Sequence, residues 1–177
     1  MNLPQKIVAL HKALLKANLP HAFGGALALA WCTQRARGTI DIDINIFVDS
    51  DHCDAVFAVL PKAVQSTSKQ RKALRVDGQV RLWWDQTPVD IFLNTTPFHQ
   101  DAAQRVRWES FMNTDMPFLS CSDLAVFKAF FNRTQDWADL EAMHVAGTLD
   151  IKKVIGILSD YMGADDERVE KLQALSS

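Results

Sequence analysis

His21-Ala22-Phe23-Gly24-Gly25-Ala26-Leu27-Ala28-Leu29-Ala30-Trp31-Cys32-Thr33-Gln34-Arg35-Ala36-Arg37-Gly38-Thr39-Ile40-Asp41-Ile42-Asp43-Ile44-Asn45-Ile46-Phe47-Val48 is the stretch whose reading decides the fold. A short extended piece delivers the chain to two glycines. An Ala/Leu-rich helix follows from Ala26 to about Gln34 and is broken at Gly38. In the next strand Ile40, Ile42, Ile44 and Ile46 alternate with Asp41, Asp43 and Asn45. Strand side chains alternate between faces, with same-face neighbours about 6.6–7 Å apart. One face is therefore isoleucine throughout, and the other carries two carboxylates and an amide. A strand so apolar on one side belongs inside the protein, where unpaired carboxylates are costly. A cationic group is expected against them.

Upstream, Ile7, Leu10, Leu14 and Ala17 recur at helical spacing over residues 3–18, with Pro4 in the first turn and Asn18 and Pro20 as the stop. Downstream, Asp49-Ser50-Asp51 offers N-cap oxygens for a helix over roughly 52–60, ended before Pro61. Residues 62–78 read as a polar, basic connection, with Lys62, Lys69, Arg71, Lys72 and Arg75 against Asp77. Residues 79–84 and 89–93 read as strands joined by the turn sequence Asp85-Gln86-Thr87-Pro88. A helical turn over 100–106 and short strands over 107–112 and 116–119, around Asn113-Thr114-Asp115, complete this part. From Ser120 the pattern is helical: a Ser120…Asp123 cap, then helices to about 131, over 136–146 (broken by Gly147), 150–161 and 165–175. The expected fold is α+β: a small mixed β-sheet with flanking helices over residues 1–118, and a helical C-terminal subdomain over 119–177.

A chain of 177 residues with 48% hydrophobic content can bury a full core, and its net charge of −2 excludes a global basic field of the kind nucleic-acid binders carry. The basic segment 62–81, followed by Trp83 and Trp84, is the one stretch with local nucleic-acid character, and it reads as a solvated loop. Cys32, Cys53 and Cys121 are odd in number and lack CxxC spacing, so they read as thiols of a reducing cytoplasm, outside any disulfide framework or zinc site. The five histidines show no ligand spacing. The N-terminus has no signal-peptide pattern and no stretch approaches the ~20 apolar residues of a membrane span, so a soluble, cytoplasmic protein with no membrane partner is expected.

Asp41 and Asp43 can jointly hold a hard divalent cation such as Mg²⁺, which prefers oxygen ligands. A third carboxylate, Asp90, lies in Val89-Asp90-Ile91-Phe92-Leu93, where it faces away from Val89, Ile91 and Leu93. If this strand neighbours the Asp41 strand, the three carboxylates form the ligand set of a two-metal phosphoryl-transfer site. Gly24-Gly25, between a strand and a helix, offers backbone N–H groups and a positive helix end to a phosphate. No Gly-Lys-Ser/Thr follows, so this is not a Walker loop.

Gly24-Gly25, then Arg37-Gly38-Thr39-Ile40-Asp41-Ile42-Asp43, then Val89-Asp90-Ile91, resembles the nucleotidyltransferase superfamily related to DNA polymerase β, and within it the small AbiEii-type proteins. Ser122 to Lys128 and Asn132-Arg133…Asp136…Asp139 match their C-terminal helical layout, so the resemblance covers roughly residues 20–146. The spacing of fifteen residues between Gly25 and Asp41 is slightly longer than the commonest version of the motif. The resemblance implies that Gly24 and Gly25 hold the β/γ-phosphates of a nucleoside triphosphate such as ATP, with Arg37 and Thr39 bordering them and Lys128 reaching the triphosphate. Asp41, Asp43 and Asp90 would bind two Mg²⁺ ions, and Asp90 would accept a proton from the attacking hydroxyl. Arg133, Asp136 and Asp139 would organise the helix junction, with Asp139 as partner of Lys128. The implied activity is transfer of NMP to a hydroxyl on an RNA or tRNA end, a protein or a small molecule, in a toxin-type setting with a cognate antitoxin as further partner. The alternative is a nucleotide-binding or partner-binding module that keeps the fold without transfer.

Overall fold

The computed structural model describes residues 1–36 and 38–175. Its chain divides into two compact units, residues 1–27 with 38–119 and residues 28–37 with 120–177. In the first unit, α1 (Leu3–Lys16) starts under a capping box in which the Asn2 side chain accepts the Gln5 N–H and the Gln5 side chain accepts the Asn2 N–H. Then come β1 (His21–Phe23), α2 (Gly25–Thr33, whose residues from Ala28 belong to the second unit), β2 (Ile42–Asp49), α3 (Cys53–Val59), β3 (Val64–Gln65), α4 (Ser68–Asp77), β4 (Gln79–Trp84), β5 (Thr87–Asn94), α5 (Pro97–Ala103), β6 (Arg107–Phe111) and β7 (Thr114–Phe118). A 3₁₀ turn over Ser50–His52 precedes α3.

The strands form one mixed sheet in the order β3-β4-β5-β2-β1-β7-β6. β2 pairs parallel with β5 and β1 parallel with β7, while the other neighbours are antiparallel. The alternating isoleucines do what their pattern requires: Ile42, Ile44 and Ile46 are fully buried, as are Val89, Ile91 and Leu93 on β5. Burying side chains of this size contributes roughly 1.5–3 kcal/mol each, so the apolar face fixes which way β2 turns. Ile40 is the exception. It lies before the strand begins and is 75% exposed, so the expected isoleucine face starts at Ile42.

Residues 62–78 are not a connection. They hold β3 and the helix α4, and the physical reason lies in the ends of that helix. Thr67 and Gln70 form a reciprocal capping box, Leu74 is buried, and Gly78 closes the helix in the left-handed conformation at φ 66°. The basic side chains occupy the solvent side of a helix with a single buried anchor, a composition that hides its period.

Lys6 of α1 is buried, and its ammonium donates to the Trp84 carbonyl (2.7 Å) and the Thr87 hydroxyl (3.1 Å) and pairs with Asp85 (3.0 Å). All three partners belong to the β4–β5 turn, so Lys6 pins that hairpin. His21 and His11 form a second buried polar pair. The Leu19 carbonyl can only accept, so the His21 Nδ1 that lies 2.7 Å from it carries the proton. Its bare Nε2 then accepts from His11 Nδ1 at 2.9 Å. Burial pulls the His21 pKa down to about 4, with the Leu19 bond opposing and His11 adding to the fall, and burial lowers His11 as well.

The second unit contains α6 (Cys121–Phe131), α7 (Thr134–Val145), α8 (Ile151–Met162) and α9 (Glu167–Leu175). The Ser120 hydroxyl accepts the Asp123 N–H and caps α6. Asn132 ends α6 in the left-handed region, and its side chain joins three helices by bonding Trp137 of α7 (2.7 Å) and Lys171 (3.0 Å) and Glu167 of α9. Within this unit Cys32 and Cys121 form a disulfide, 89 residues apart in sequence, which corrects the expectation of three thiols; Cys53 is a free, buried thiol. No helix among the described residues is long and apolar enough to cross a membrane.

Two predictions follow from these elements. His21 is neutral when folded, with a pKa below its free value of 6.5, so the unfolded chain takes up the proton first. Its stabilisation is whole above pH 6.5 and is lost as pH falls, the loss approaching about 3 kcal/mol near and below pH 4. Urea unfolding at pH 7 and pH 5 is expected to show a steeper fall for wild type than for His21→Gln, and equal falls would contradict the neutral buried pair. Under denaturing, non-reducing conditions, the intact mass should be two hydrogens below the all-thiol value, with only Cys53 open to alkylation. Three alkylated cysteines would rule out the Cys32–Cys121 bond.

Candidate active site

The parallel register of β2 and β5 sets Asp43 opposite Asp90, flanked by Ile42 opposite Val89 and Ile44 opposite Ile91. Residues paired in this way point to the same side of the sheet. Two carboxylates therefore stand side by side on adjacent strands roughly 4.8 Å apart, while the apolar residues between them fill the opposite face. Asp41 comes just before β2. The Thr39 hydroxyl donates to its Oδ1 at 2.5 Å, and the Asp41 N–H points back to the Thr39 oxygen at 3.3 Å.

β4 brings the cation. Its antiparallel pairing with β5 places Arg81 opposite Asp90. Arg81 Nε donates to Asp90 Oδ1 at 2.7 Å and its Nη2 donates to Oδ2 at 2.6 Å, a two-pronged bond with a matched planar geometry. The same Nη2 lies 3.8 Å from Asp41 Oδ2. The hydrogen bond to Asp90 raises the Arg81 pKa further above its ordinary value, opposed by burial, and the charges of Asp90, Asp41 and Asp43 add to the rise. The positive group demanded by the carboxylates is thus Arg81, which the sequence reading left inside a solvated basic segment. The signal that identifies it is the length of the hairpin turn. A two-residue turn at Asp85-Gln86 pairs Trp84 with Thr87 and hence Arg81 with Asp90, whereas a four-residue turn through Pro88 does not.

The glycines shape the other side of Asp43. Gly24 donates its N–H to the Asp43 carbonyl at 2.9 Å, so that amide is committed to the backbone. Gly25 opens α2 with φ 51°, and a Cβ there would fall 1.9 Å from Asp43 Oδ2. Only a residue without a side chain lets this carboxylate lie against the start of the helix, where first-turn N–H groups and the positive helix end favour negative charge.

The remaining expected residues lie as follows. Arg37 is outside the described residues. Lys128 belongs to the helical unit and is buried, with Nζ 2.7 Å from Asp139 and 3.6 Å from Asp136. Arg133 precedes α7, where its N–H donates to the Asp136 carboxylate at 3.2 Å and its Nε pairs with the same carboxylate at 2.7 Å. Asp139 is therefore the partner of Lys128, and any phosphate assigned to Lys128 competes with two buried carboxylates for its ammonium. Of the two neighbouring tryptophans, Trp84 is buried and Trp83 is 47% exposed, on the same face of β4 as Arg81.

The donor set suits a hard divalent cation such as Mg²⁺. Asp41, Asp43 and Asp90 offer carboxylate oxygens only, and one guanidinium nitrogen sits against Asp90 and Asp41; the three are not a group of described residues whose ligand atoms all lie within 4.8 Å of one another. Asp49, Asp51 and His52, on the exposed 3₁₀ turn, form the group of described residues whose ligand atoms lie within 4.8 Å of one another. Such exposed acidic turns are common without an ion.

No family model matches this sequence, and no curated protein matches it. Solved structures do share its fold. The solution structure of the antibiotic-resistance factor ANT(2'')-Ia is similar with a TM-score of 0.58 at 16% identity, over 97% of this chain and 89% of that one. The crystal structure of ANT(2'')-Ia in complex with adenylyl-2''-tobramycin is similar with a TM-score of 0.56 at 15% identity, over 97% and 94% of the two chains. An antigenic nucleotidyltransferase-like protein from Paracoccidioides brasiliensis gives a TM-score of 0.50 at 15% identity, over 96% and 92%. At such identities the likeness is one of fold, and the chain has the nucleotidyltransferase fold.

Gly25→Ala tests the close approach to Asp43. It meets both a left-handed backbone and the Asp43 carboxylate, whereas Gly147→Ala, at φ 73° with nothing within 4 Å, meets the backbone cost alone. The expected losses by urea unfolding are about 1–2 kcal/mol for Gly147→Ala and larger for Gly25→Ala. Equal losses would mean that Asp43 does not need the space.

Proposed function

We propose that the chain is a metal-dependent nucleotidyltransferase of the polymerase β-related superfamily, moving NMP from a nucleoside triphosphate to a hydroxyl acceptor. The observation that carries this reading is the register that sets Asp43 beside Asp90, with α2 beginning at Gly25 against Asp43. Asp41, Asp43 and Asp90 would hold Mg²⁺, which when bound neutralises phosphate charge and acidifies the attacking hydroxyl. The chain's own residues do the rest. The first-turn amides of α2 receive the β/γ-phosphates, with Gly25 giving the backbone a close approach. Thr39 keeps Asp41 turned to the site. Asp90 accepts the hydroxyl proton at a carboxylate oxygen as the oxygen attacks the α-phosphate and pyrophosphate departs.

The fold shared with a protein found in complex with adenylyl-2''-tobramycin favours a hydroxylated small molecule as acceptor. The motif resemblance to AbiEii-type proteins gives the other form of the reading, a toxin that modifies a tRNA end or a protein and is held by a cognate antitoxin. The second reading, a nucleotide-binding or partner-binding module without transfer, is favoured by one feature: Arg81 occupies both oxygens of Asp90.

Labelled nucleoside triphosphates with Mg²⁺, incubated with hydroxylated antibiotics, total RNA and protein acceptors in parallel, separate these. Transfer by wild type is expected in at least one arm, reduced about 10²-fold or more in Asp43→Asn and Asp90→Asn. Equally low transfer by wild type and Asp43→Asn, across metals, pH values and acceptors, would sink the enzymatic reading. Tight triphosphate binding by calorimetry without turnover would establish the binding module instead.

A further inference from the structure

Arg81 stands where a metal-dependent site can least tolerate a fixed positive charge. It bonds both oxygens of Asp90 and shares Nη2 with Asp41. A divalent ion entering among these carboxylates would lie within a few ångströms of the guanidinium, and the two repel. Arg81 does not escape by losing its proton, because guanidinium stays charged in proteins. It has to move.

The geometry permits this. The Arg81 side chain is 52% exposed and that of Asp90 14%, so solvent reaches the guanidinium from one side and the two-pronged bond is the contact a ligand has to replace. Its backbone is held by the pairing with β5 on one edge and by the Arg81 carbonyl, which accepts from Gln70 Nε2 at 2.8 Å, on the other. Motion is therefore confined to the long side chain, whose reach stays on the face of the sheet that carries Asp90. A planar, permanently charged fork released there matches a phosphate as well as it matches a carboxylate. A triphosphate brings the anion that takes Arg81 and the metal that takes Asp90 in one event.

We propose that Arg81 is an exchangeable counter-ion: it competes with divalent cations for Asp90 and passes to the triphosphate, so that the carboxylate face takes metal together with nucleotide and poorly without it. This rests on the function proposed above. It makes Arg81 a positioning residue that couples two ligands.

The test uses the full chain, Mn²⁺ as the metal probe read by electron paramagnetic resonance, and α,β-methylene-ATP as the non-transferable triphosphate read by calorimetry. Arg81→Gln is expected to bind Mn²⁺ alone about tenfold more tightly than wild type, and to bind the triphosphate with Mn²⁺ about tenfold more weakly. Opposite shifts are the signature, because a merely structural loss moves both affinities downward. Arg81→Lys keeps the charge but not the fork. Its affinity for Mn²⁺ alone should stay near wild type while triphosphate binding weakens, and this variant carries the test if Arg81→Gln does not fold. If Asp43→Asn abolishes Mn²⁺–triphosphate binding while Arg81→Gln leaves both affinities unchanged, the exchange is overturned and the proposed function stands. If wild type binds Mn²⁺ neither alone nor with the triphosphate, both fall together.

Discussion

Everything at the candidate site depends on one backbone register, the parallel pairing of β2 with β5 that puts Asp43 opposite Asp90. Two like charges on neighbouring strands repel, so the arrangement needs a force that holds it there. That force comes from the other face. Ile42, Ile44 and Ile46 on one strand and Val89, Ile91 and Leu93 on its neighbour are buried to within 1% of complete. A slip of one residue would turn that whole set to the carboxylate face and drive the carboxylates into the core. The cost of several lost burials far exceeds the repulsion between two partly solvated carboxylates. Apolar packing therefore fixes the position of the charges.

The same logic extends one strand further. Arg81 meets Asp90 only if the β4–β5 hairpin closes after Trp84, and the buried ammonium of Lys6 holds that closure through Trp84, Asp85 and Thr87. Lys6 has its charge paired and two further donors satisfied, which is the condition under which a buried lysine is tolerated. A helix remote in sequence thus sets the register of the hairpin and, through it, the charge balance of the site. Thr39 and Gly25 act at closer range, the first by holding Asp41 and the second by giving Asp43 room.

Much of this was legible in the sequence, because period-2 alternation and turn residues are local signals. The Asp strand, the Asp90 strand, the helix beginning at Gly-Gly and the run of C-terminal helices all follow from them. What escaped depends on non-local or weakly patterned features. Arg81 was hidden by the turn: Asp85 to Pro88 reads as four turn residues, yet Thr87 and Pro88 are strand, and the two-residue difference changes the partner of Asp90. α4 was hidden because Leu74 is its one buried residue, so its caps carried the information that its period did not. The disulfide joins residues 89 apart, and no spacing rule reaches across a sheet of intervening strands.

Arg81 and Lys128 show how burial sorts two similar charge clusters into different uses. Each is a cation facing two aspartates, at 2.6 and 3.8 Å for Arg81 and at 2.7 and 3.6 Å for Lys128. Lys128 and Asp139 have side chains only 8% and 5% exposed, and removing one member of such a pair costs about 3–5 kcal/mol because the other charge is left without water. Arg81 is 52% exposed against 14% for Asp90, so water reaches the guanidinium side of a pair whose two-pronged bond is stronger than a loose surface contact. The first cluster is a fixture of the helical unit. The second is open to solvent on the Arg81 side and joins Asp90 and Asp41, next to the Asp43 carboxylate that lies against the start of α2. A ligand reaches the Arg81 pair from solvent, whereas opening the Lys128 pair leaves a buried charge without water.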